Sequence, residues 1–307
     1  MSSNIYQKAR LGVIHFKAYP EVETGEGPII ETLEKLAEDE FWSAVEVGWI
    51  KDYRVRNTVR HILEQSHLSV AFASQPRVLQ NRLNLNSLDK RERALAVDTL
   101  KRSIDEAHEV GAEVVRLIAG RDPGDSDREE AKKLLVDSLF QLLEYAKEEG
   151  QLDFTLKLFD RDIDKRNLIG PTQDALDIAE AVYPHHSNFG LLVDLSHYPL
   201  LRENPRDSIP KLAKYLRSVH VGNCVYQDRR HPAYGDIQPR FGLQGGENDT
   251  EQVVEFFQIL EENGFFTQNQ RPIISAEVRP VLAGEKSGLI LANAKRVIRD
   301  AWAFSGI

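Results

Sequence analysis

The run Leu191-Leu-Val-Asp-Leu-Ser-His197 is a short apolar stretch with one ionisable residue near its C-terminal end, and three further runs in the second half of the chain share this pattern. They read Phe154-Thr-Leu-Lys-Leu-Phe-Asp160, Ser218-Val-His-Val-Gly-Asn223 and Ile273-Ile-Ser-Ala-Glu-Val278. A lone ionisable group in a buried strand is costly unless it is paired or binds a metal. The polar residues of the four runs, Lys157, Asp194, His220 and Glu277, therefore predict one converging site.

Strand-like runs alternate with amphipathic helical stretches along the chain. The predicted strands cover residues 11–16, 44–48, 68–74, 112–120, 154–160, 189–196, 218–224 and 272–278. Apolar residues at helical spacing predict helices over residues 88–110, 129–149, 249–263 and 287–303. Strand–helix repeats imply parallel pairing with helices outside, and eight repeats close most simply into a single (β/α)8 barrel. The alternative is an open doubly wound sheet, which normally has a glycine-rich turn after its first strand; residues 15–20 contain no glycine.

Composition narrows the partners and the location. The 307 residues are 41% hydrophobic and 28% charged, as in ordinary soluble proteins, and the net charge of -9 opposes binding to nucleic acid. The sequence has neither a long apolar run nor a signal peptide, so we expect a cytoplasmic protein that does not bind membranes. The only cysteine, Cys224, excludes an intrachain disulfide and is expected to be buried.

We expect residues 1–307 to form one domain, because no linker or low-complexity tract divides the chain. The longest irregular stretch, residues 222–248, follows the seventh predicted strand. A barrel places such a loop over its C-terminal mouth, where long loops often close over a ligand. We therefore predict that residues 222–248 form a lid, with His231 or Arg240 facing the pocket.

The order of Asp194-Leu-Ser-His197, His220-Val-Gly-Asn223 and Glu277 resembles that of the xylose-isomerase-like TIM barrels. This superfamily includes sugar isomerases, sugar 3-epimerases, hydroxypyruvate isomerase and inosose dehydratase, and the resemblance extends over nearly the whole chain. It implies that Asp194, His220 and Glu277 are ligands of a divalent metal such as Mn, Mg, Co or Zn. It also implies that His197 contacts the substrate and that the stretch beginning at His231 covers it.

The chain departs from the family pattern at Lys157, where that pattern has a metal-binding glutamate. A protonated lysine offers only hydrogen-bond donors and cannot ligate a metal. Two outcomes remain open. A metal still binds through the three other ligands and lowers the pKa of Lys157, or the ammonium replaces the metal by pairing with Asp194 and Glu277.

The chemistry that the resemblance implies is proton transfer at a carbon next to a carbonyl, which needs a base and a cation to stabilise the enediolate. Glu277 is the expected base, and the cation is either a metal or Lys157. The expected substrate contacts are His197, His15, His231 and Arg279, the last for a terminal carboxylate or phosphate.

Several functions fit these residues. The leading interpretation is an isomerase or epimerase that acts on a small sugar, ketose or polyol derivative. The expected binding partners are this small molecule and, in a homo-oligomer, further copies of the chain. A dehydratase of a keto-inositol-like compound would use the same groups. The residues also fit a noncatalytic sugar-binding barrel that has lost its full metal site, and a Schiff-base aldolase that uses Lys157.

Two features have structural interpretations beside the functional ones. Glu46, in an apolar strand, either lines the pocket or pairs with a lysine or arginine in the barrel floor. The acidic residues Asp160, Asp162 and Asp164 alternate with arginine and lysine, and this pattern favours a solvated loop.

Overall fold

Eight parallel strands pair in sequence order and close on themselves in the computed structural model of the chain, which describes residues 4–150, 152–267 and 271–307. Pairing of the first strand with the last, with Arg10 opposite Ile273, completes the barrel. The predicted (β/α)8 fold is thus confirmed. The strands are β1 (Arg10–Ile14), β2 (Ala44–Val47), β3 (Ser69–Ala73), β4 (Val114–Ile118), β5 (Asp153–Lys157), β6 (Phe189–Asp194), β7 (Leu216–Gly222) and β8 (Ile273–Glu277).

Helices follow the strands around the outside of the barrel. They are α1 (Ile5–Lys8), α2 (His15–Ala18), α3 (Ile29–Ala37), α4 (Tyr53–Ser66), α5 (Gln75–Gln80), α6 (Lys90–Glu109), α7 (Arg128–Glu149), α8 (Thr172–Val182), α9 (His197–Leu201), α10 (Pro205–Leu212), α11 (Thr250–Glu262) and α12 (Ser287–Ser305). Short 3-10 turns occur at Pro20–Val22 and Phe265–Thr267. No helix in the described part of the chain is long and apolar enough to cross a membrane.

The four helices predicted from periodicity are present, with ends that follow local capping. Asp89 begins α6 by accepting hydrogen bonds from the backbone N–H groups of Arg91 and Glu92. Asp249 and Gln252 form a capping box at the start of α11. Such caps satisfy backbone donors that have no partner inside the helix, and each stabilises its helix by about 1 kcal/mol.

The inside of the barrel is divided along its axis. A small apolar layer of Ala44, Ala71, Val114 and Ile273 fills the end where the strands begin. The larger apolar core lies between strands and helices, for example where Phe256 and Phe257 of α11 are buried. The polar residues that end β5, β6 and β8 lie beyond this apolar layer, at the C-terminal ends of the strands.

Several predicted strand ends differ from the structure by up to three residues, and two differences bear on the site. Strand β1 ends at Ile14, not Phe16, because His15 begins the short helix α2; periodicity alone does not separate a strand from a buried helical turn. Asp160 does not lie in a solvated loop. It is fully buried, and its carboxylate accepts backbone hydrogen bonds from Ile163, Asp164 and Lys165 at 2.7–2.8 Å.

Candidate active site

The four polar residues predicted to converge do so at the C-terminal mouth of the barrel. Lys157, Asp194 and Glu277 are the last residues of β5, β6 and β8, and His220 of β7 pairs in register with Asp194. The Lys157 ammonium lies 3.1 Å from Asp194 Oδ2 and also contacts Glu277 Oε2. All four side chains are buried, so these charges interact with little screening by water.

The Lys157 ammonium and the Glu277 carboxylate stabilise each other's charged forms. Burial alone would lower the pKa of Lys157, but the nearby carboxylates of Glu277 and Asp194 outweigh burial and raise it. Burial would raise the pKa of Glu277, but the cations Lys157 and Lys17 hold it well below its usual value. A protonated amine cannot attack a carbonyl, and this speaks against the Schiff-base aldolase interpretation.

His220 lies between two carboxylates. Its Nδ1 is 2.7 Å from Glu277 Oε2 and its Nε2 is 2.9 Å from Glu46 Oε1. A ring nitrogen facing a carboxylate must carry a hydrogen, so two such contacts favour the imidazolium form. Burial opposes this charge, but the attraction of Glu46 and the hydrogen bonds to Glu277 and Glu46 raise the pKa of His220.

Glu46 belongs to a polar layer one step deeper in the barrel. Its Oε1 accepts a hydrogen bond from Ser275 at 2.7 Å and lies 3.6 Å from Arg116 Nη2. Burial would raise the pKa of Glu46, but His220 and Arg116 lower it to about 2. The expected pairing of Glu46 with a cation inside the barrel is therefore present, together with a contact to His220 that the sequence did not indicate.

A second buried lysine, not predicted from the sequence, also faces the cluster. Lys17 of α2 places its Nζ 3.5 Å from Glu277 Oε1. A signal was available, because Lys17 stands alone between Phe16 and Ala18 just after an apolar strand. The role of Lys17 was missed because β1 was predicted to continue to Phe16. The helical turn that begins at His15 is what directs the Lys17 side chain toward the cluster.

Residues 222–248, which we call the covering segment, bring two more polar side chains to the site. Asp236 Oδ1 lies 3.1 Å from His197 Nε2, and the other ring nitrogen of His197 is 2.6 Å from the Leu158 carbonyl oxygen. Burial would lower the pKa of His197, but Asp236 and Asp194 raise it. Gln238 Nε2 lies 2.8 Å from Ser196 Oγ and 3.4 Å from Asp194 Oδ2.

Other predicted site residues have their contacts elsewhere among the described residues. His15 Nε2 is 2.8 Å from Thr32 Oγ1 of α3, and Arg279 pairs with Glu23 Oε2 at 3.3 Å. His231 Nδ1 accepts a hydrogen bond from the backbone N–H of Ala233. Arg240 pairs with Glu285 at 3.2 Å. The parts of the covering segment that reach the cluster are thus Asp236 and Gln238, rather than His231 or Arg240.

The donor set gives a test of whether the site fits a divalent metal. Ligand atoms of Asp194, His220 and Glu277 all lie within 4.8 Å of one another, as a shared ion would require. However, the Lys157 ammonium contacts both carboxylates, and both nitrogens of His220 face carboxylates. In this arrangement the residues do not fit a dication, because an ammonium already neutralises its ligands and His220 has no free lone pair.

The geometry leaves one reactive atom at the centre of the cluster. Glu277 Oε2 is engaged by Lys157 and His220, whereas Glu277 Oε1 accepts no hydrogen bond among the described residues. This oxygen belongs to an ionised carboxylate and is the atom placed to accept a proton from carbon, and Glu277 becomes more basic once a ligand oxygen takes over the Lys157 ammonium. The neighbouring ammonium can stabilise an oxyanion formed at the same time.

Comparisons with known proteins agree with this fold. A family model described as "Xylose isomerase-like TIM barrel" matches residues 30–294. No curated protein matches the sequence. A solved D-tagatose 3-epimerase-like protein is 18% identical with a TM-score of 0.72, over 96% of this chain and 98% of that one. An L-ribulose 3-epimerase is 17% identical with a TM-score of 0.72, over 97% and 95%. D-psicose 3-epimerase from Clostridium cellulolyticum H10, solved with D-tagatose, is 16% identical with a TM-score of 0.66, over 96% and 98%. At these identities the likeness shows a shared fold.

Proposed function

The chain belongs to the xylose isomerase-like TIM barrel family, and from this premise we propose that it is a sugar isomerase or epimerase that moves a proton at a carbon next to a carbonyl. The observation that carries the proposal is the pairing of Lys157 with both Asp194 and Glu277 at the barrel mouth. A base and a cation stand side by side there, as enediolate chemistry requires. The similarity of solved sugar 3-epimerases to this chain supports the same substrate class, a small ketose.

The residues take distinct roles in this proposal. Glu277 Oε1 removes the proton from the carbon next to the carbonyl, and the Lys157 ammonium donates a hydrogen bond to the developing enediolate oxygen. His220 positions the Glu277 carboxylate and His197 positions Asp236, through the hydrogen bonds of their ring nitrogens. Glu277 is completely buried, and in this proposal the covering segment, which brings Asp236 and Gln238 onto the cluster, moves to admit the substrate and so acts as a lid.

Deuterium exchange provides the direct test. The purified protein is incubated in D2O with D-fructose, D-tagatose and other ketoses, and NMR follows the loss of the proton next to the carbonyl. We expect exchange with at least one ketose, and we expect Glu277→Gln to abolish it because an amide cannot accept the proton. Glu113→Gln is the matched control, since Glu113 pairs with Arg10, the first residue of β1, at the opposite end of the barrel.

The outcomes separate the competing functions. Exchange that persists after treatment with a chelator supports Lys157 as the cation, whereas strict dependence on added manganese assigns that role to a metal. Loss of water, detected as a product lacking one hydroxyl, would indicate the dehydratase. Binding of a ketose without any exchange would refute the proposed catalysis and leave a noncatalytic sugar-binding barrel.

A further inference from the structure

The covering segment places an amide with a fixed orientation above the cluster. Gln238 is fully buried, and its Nε2 is surrounded by Asp236 Oδ1 at 2.7 Å, Ser196 Oγ at 2.8 Å and Asp194 Oδ2 at 3.4 Å. Because all three neighbours are oxygens that accept hydrogen bonds, the amide nitrogen and not the amide oxygen must occupy this position. The orientation of the amide is therefore fixed. Gln238 Oε1 is then left without a hydrogen-bond donor among the described residues.

Two further buried oxygens share this condition. Asp236 Oδ2 and Glu277 Oε1 accept no hydrogen bond in the described part of the chain, although Lys165 Nζ and Lys17 Nζ face them at 3.5 Å. All three oxygens belong to one connected cluster, since Gln238 Nε2 and Lys157 Nζ approach the same oxygen of Asp194. Buried acceptors normally have a hydrogen-bond donor, so Gln238 Oε1 and Asp236 Oδ2 are placed to accept hydrogen bonds from a bound molecule.

The backbone is shaped to bring Gln238 to this position. Its φ of 63° lies in the left-handed region, which a residue other than glycine adopts only at an energetic cost, and Arg279 N–H holds its carbonyl at 2.7 Å. A Cβ at Gly222 would overlap with Gln238 Oε1 and lie 2.8 Å from the Glu277 carbonyl oxygen. The left-handed backbone of Gln238 and the lack of a side chain at Gly222 thus together allow the Gln238 amide to lie against β7 and β8.

We propose that Asp236 and Gln238 are specificity-determining residues that recognise hydroxyl groups of an uncharged polyhydroxylated ligand whose reacting carbon faces Glu277 Oε1. The inference rests on the proposed function and specifies that the covering segment binds the hydroxyl groups of the ligand. Hydroxyl groups supply the donors that Asp236 Oδ2 and Gln238 Oε1 can accept. A phosphate or carboxylate offers only acceptors and would meet the negative charges of Asp236 and Glu277.

The cations near the site do not favour an anionic ligand. Lys157 is held by two carboxylates and Lys17 faces Glu277. Lys165 contacts Asp164 and Asp236, and Arg279 pairs with Glu23. Each of these positive charges therefore already has a carboxylate partner inside the protein. An anion would have to displace one of these partners to bind.

Isothermal titration calorimetry on the full chain tests the inference. The probes are D-fructose, D-tagatose and myo-inositol, compared with D-fructose 6-phosphate and D-gluconate. We expect the uncharged probes to bind more tightly than the anionic ones. Gln238→Met, of similar size but without the amide, should weaken binding of the uncharged probes about tenfold, the effect of a lost hydrogen bond. Arg230→Ala, at an exposed position of the same segment, should leave binding unchanged.

Deoxy analogues distinguish recognition from a merely structural role. A ketose that lacks the hydroxyl bound by Gln238 should bind the native protein more weakly than the parent sugar does. The Gln238→Met variant should bind the deoxy sugar and the parent sugar equally well. Equal losses for parent and deoxy sugars in the variant would overturn the inference, as would tighter binding of the anionic probes or no binding of any uncharged probe. Asp236→Asn, which keeps the size of the side chain, serves as the second variant if Gln238→Met does not fold. Because calorimetry needs no turnover, hydroxyl recognition without proton exchange would refute only the proposed catalysis, whereas exchange on a sugar phosphate would refute only this inference.

Discussion

Replacing Lys157 with glutamate should convert the ammonium-centred cluster into a four-ligand metal site. The new carboxylate would join Asp194, His220 and Glu277, whose ligand atoms already lie within 4.8 Å of one another. The substitution removes one positive charge and adds one negative charge. The native protein, which keeps its ammonium between two carboxylates, should bind divalent metal weakly by comparison.

The size of the effect follows from the geometry. Lys157 Nζ is 3.1 Å from Asp194 Oδ2, so an ion held by Asp194 would lie close to the ammonium. At about 4 Å and an effective dielectric constant near 20, a monocation and a dication repel each other by roughly 8 kcal/mol. If rearrangement and the burial of another carboxylate offset about half of this repulsion, roughly 4 kcal/mol remains, equivalent to about a thousandfold in Kd.

Calorimetric titration with manganese measures this difference directly. We expect Lys157→Glu to bind manganese at least about a hundredfold more tightly than the native protein, and its Tm to rise strongly with added metal. Lys157→Met is the control that removes the positive charge without adding a ligand, and it should give an intermediate affinity. Tight manganese binding by the native protein, unchanged in Lys157→Glu, would refute the reasoning and show that Lys157 stands outside the metal site.

Three further predictions concern stability and the covering segment. Burial lowers the pKa of His15 from 6.5 to about 4. The unfolded chain therefore binds a proton that the native protein does not, and the native protein should lose up to about 3 kcal/mol of stability as pH falls from 6.5 to 4. In urea unfolding measured across this pH range, His15→Gln should not show that loss. Asp160→Ala should lower the free energy of unfolding by about 3 kcal/mol, because three partly buried backbone N–H groups lose their acceptor; an unchanged urea midpoint would contradict this. Gly222→Ala should displace Gln238 and abolish ketose binding in calorimetry, whereas Gly288→Ala, where an added Cβ meets nothing within 4 Å, should bind as the native protein does.

Much of the architecture is determined by local sequence. The alternation of β-type runs with amphipathic stretches predicted all eight strands, since apolar periodicity reflects which side of each element is buried. Parallel strands in a barrel all end at one mouth. Lys157, Asp194 and Glu277, each near the end of its run, could therefore be expected to meet, and they do.

The partners of these residues were decided by tertiary structure. Lys17 reaches Glu277 because the chain turns into a helix at His15, and Gln238 reaches Asp194 because a long loop folds back over the mouth. Neither conformation has a periodic signature in the sequence. Asp160 likewise resembled a surface residue in the sequence. In the structure, the loop that follows it folds back and donates backbone hydrogen bonds to its carboxylate.

By itself, then, the sequence determined the barrel, the end of the barrel that carries the polar groups, and the presence of a lysine where the resembled family has a metal ligand. Only the tertiary structure decided that this lysine pairs with both carboxylates, that Glu46 lies beneath His220, and that Asp236 and Gln238 close the site. Periodicity reports burial of a residue relative to its neighbours in the chain. Charge pairing inside a barrel depends instead on distances between residues far apart in sequence, which form only when the strands close and the loops pack over them.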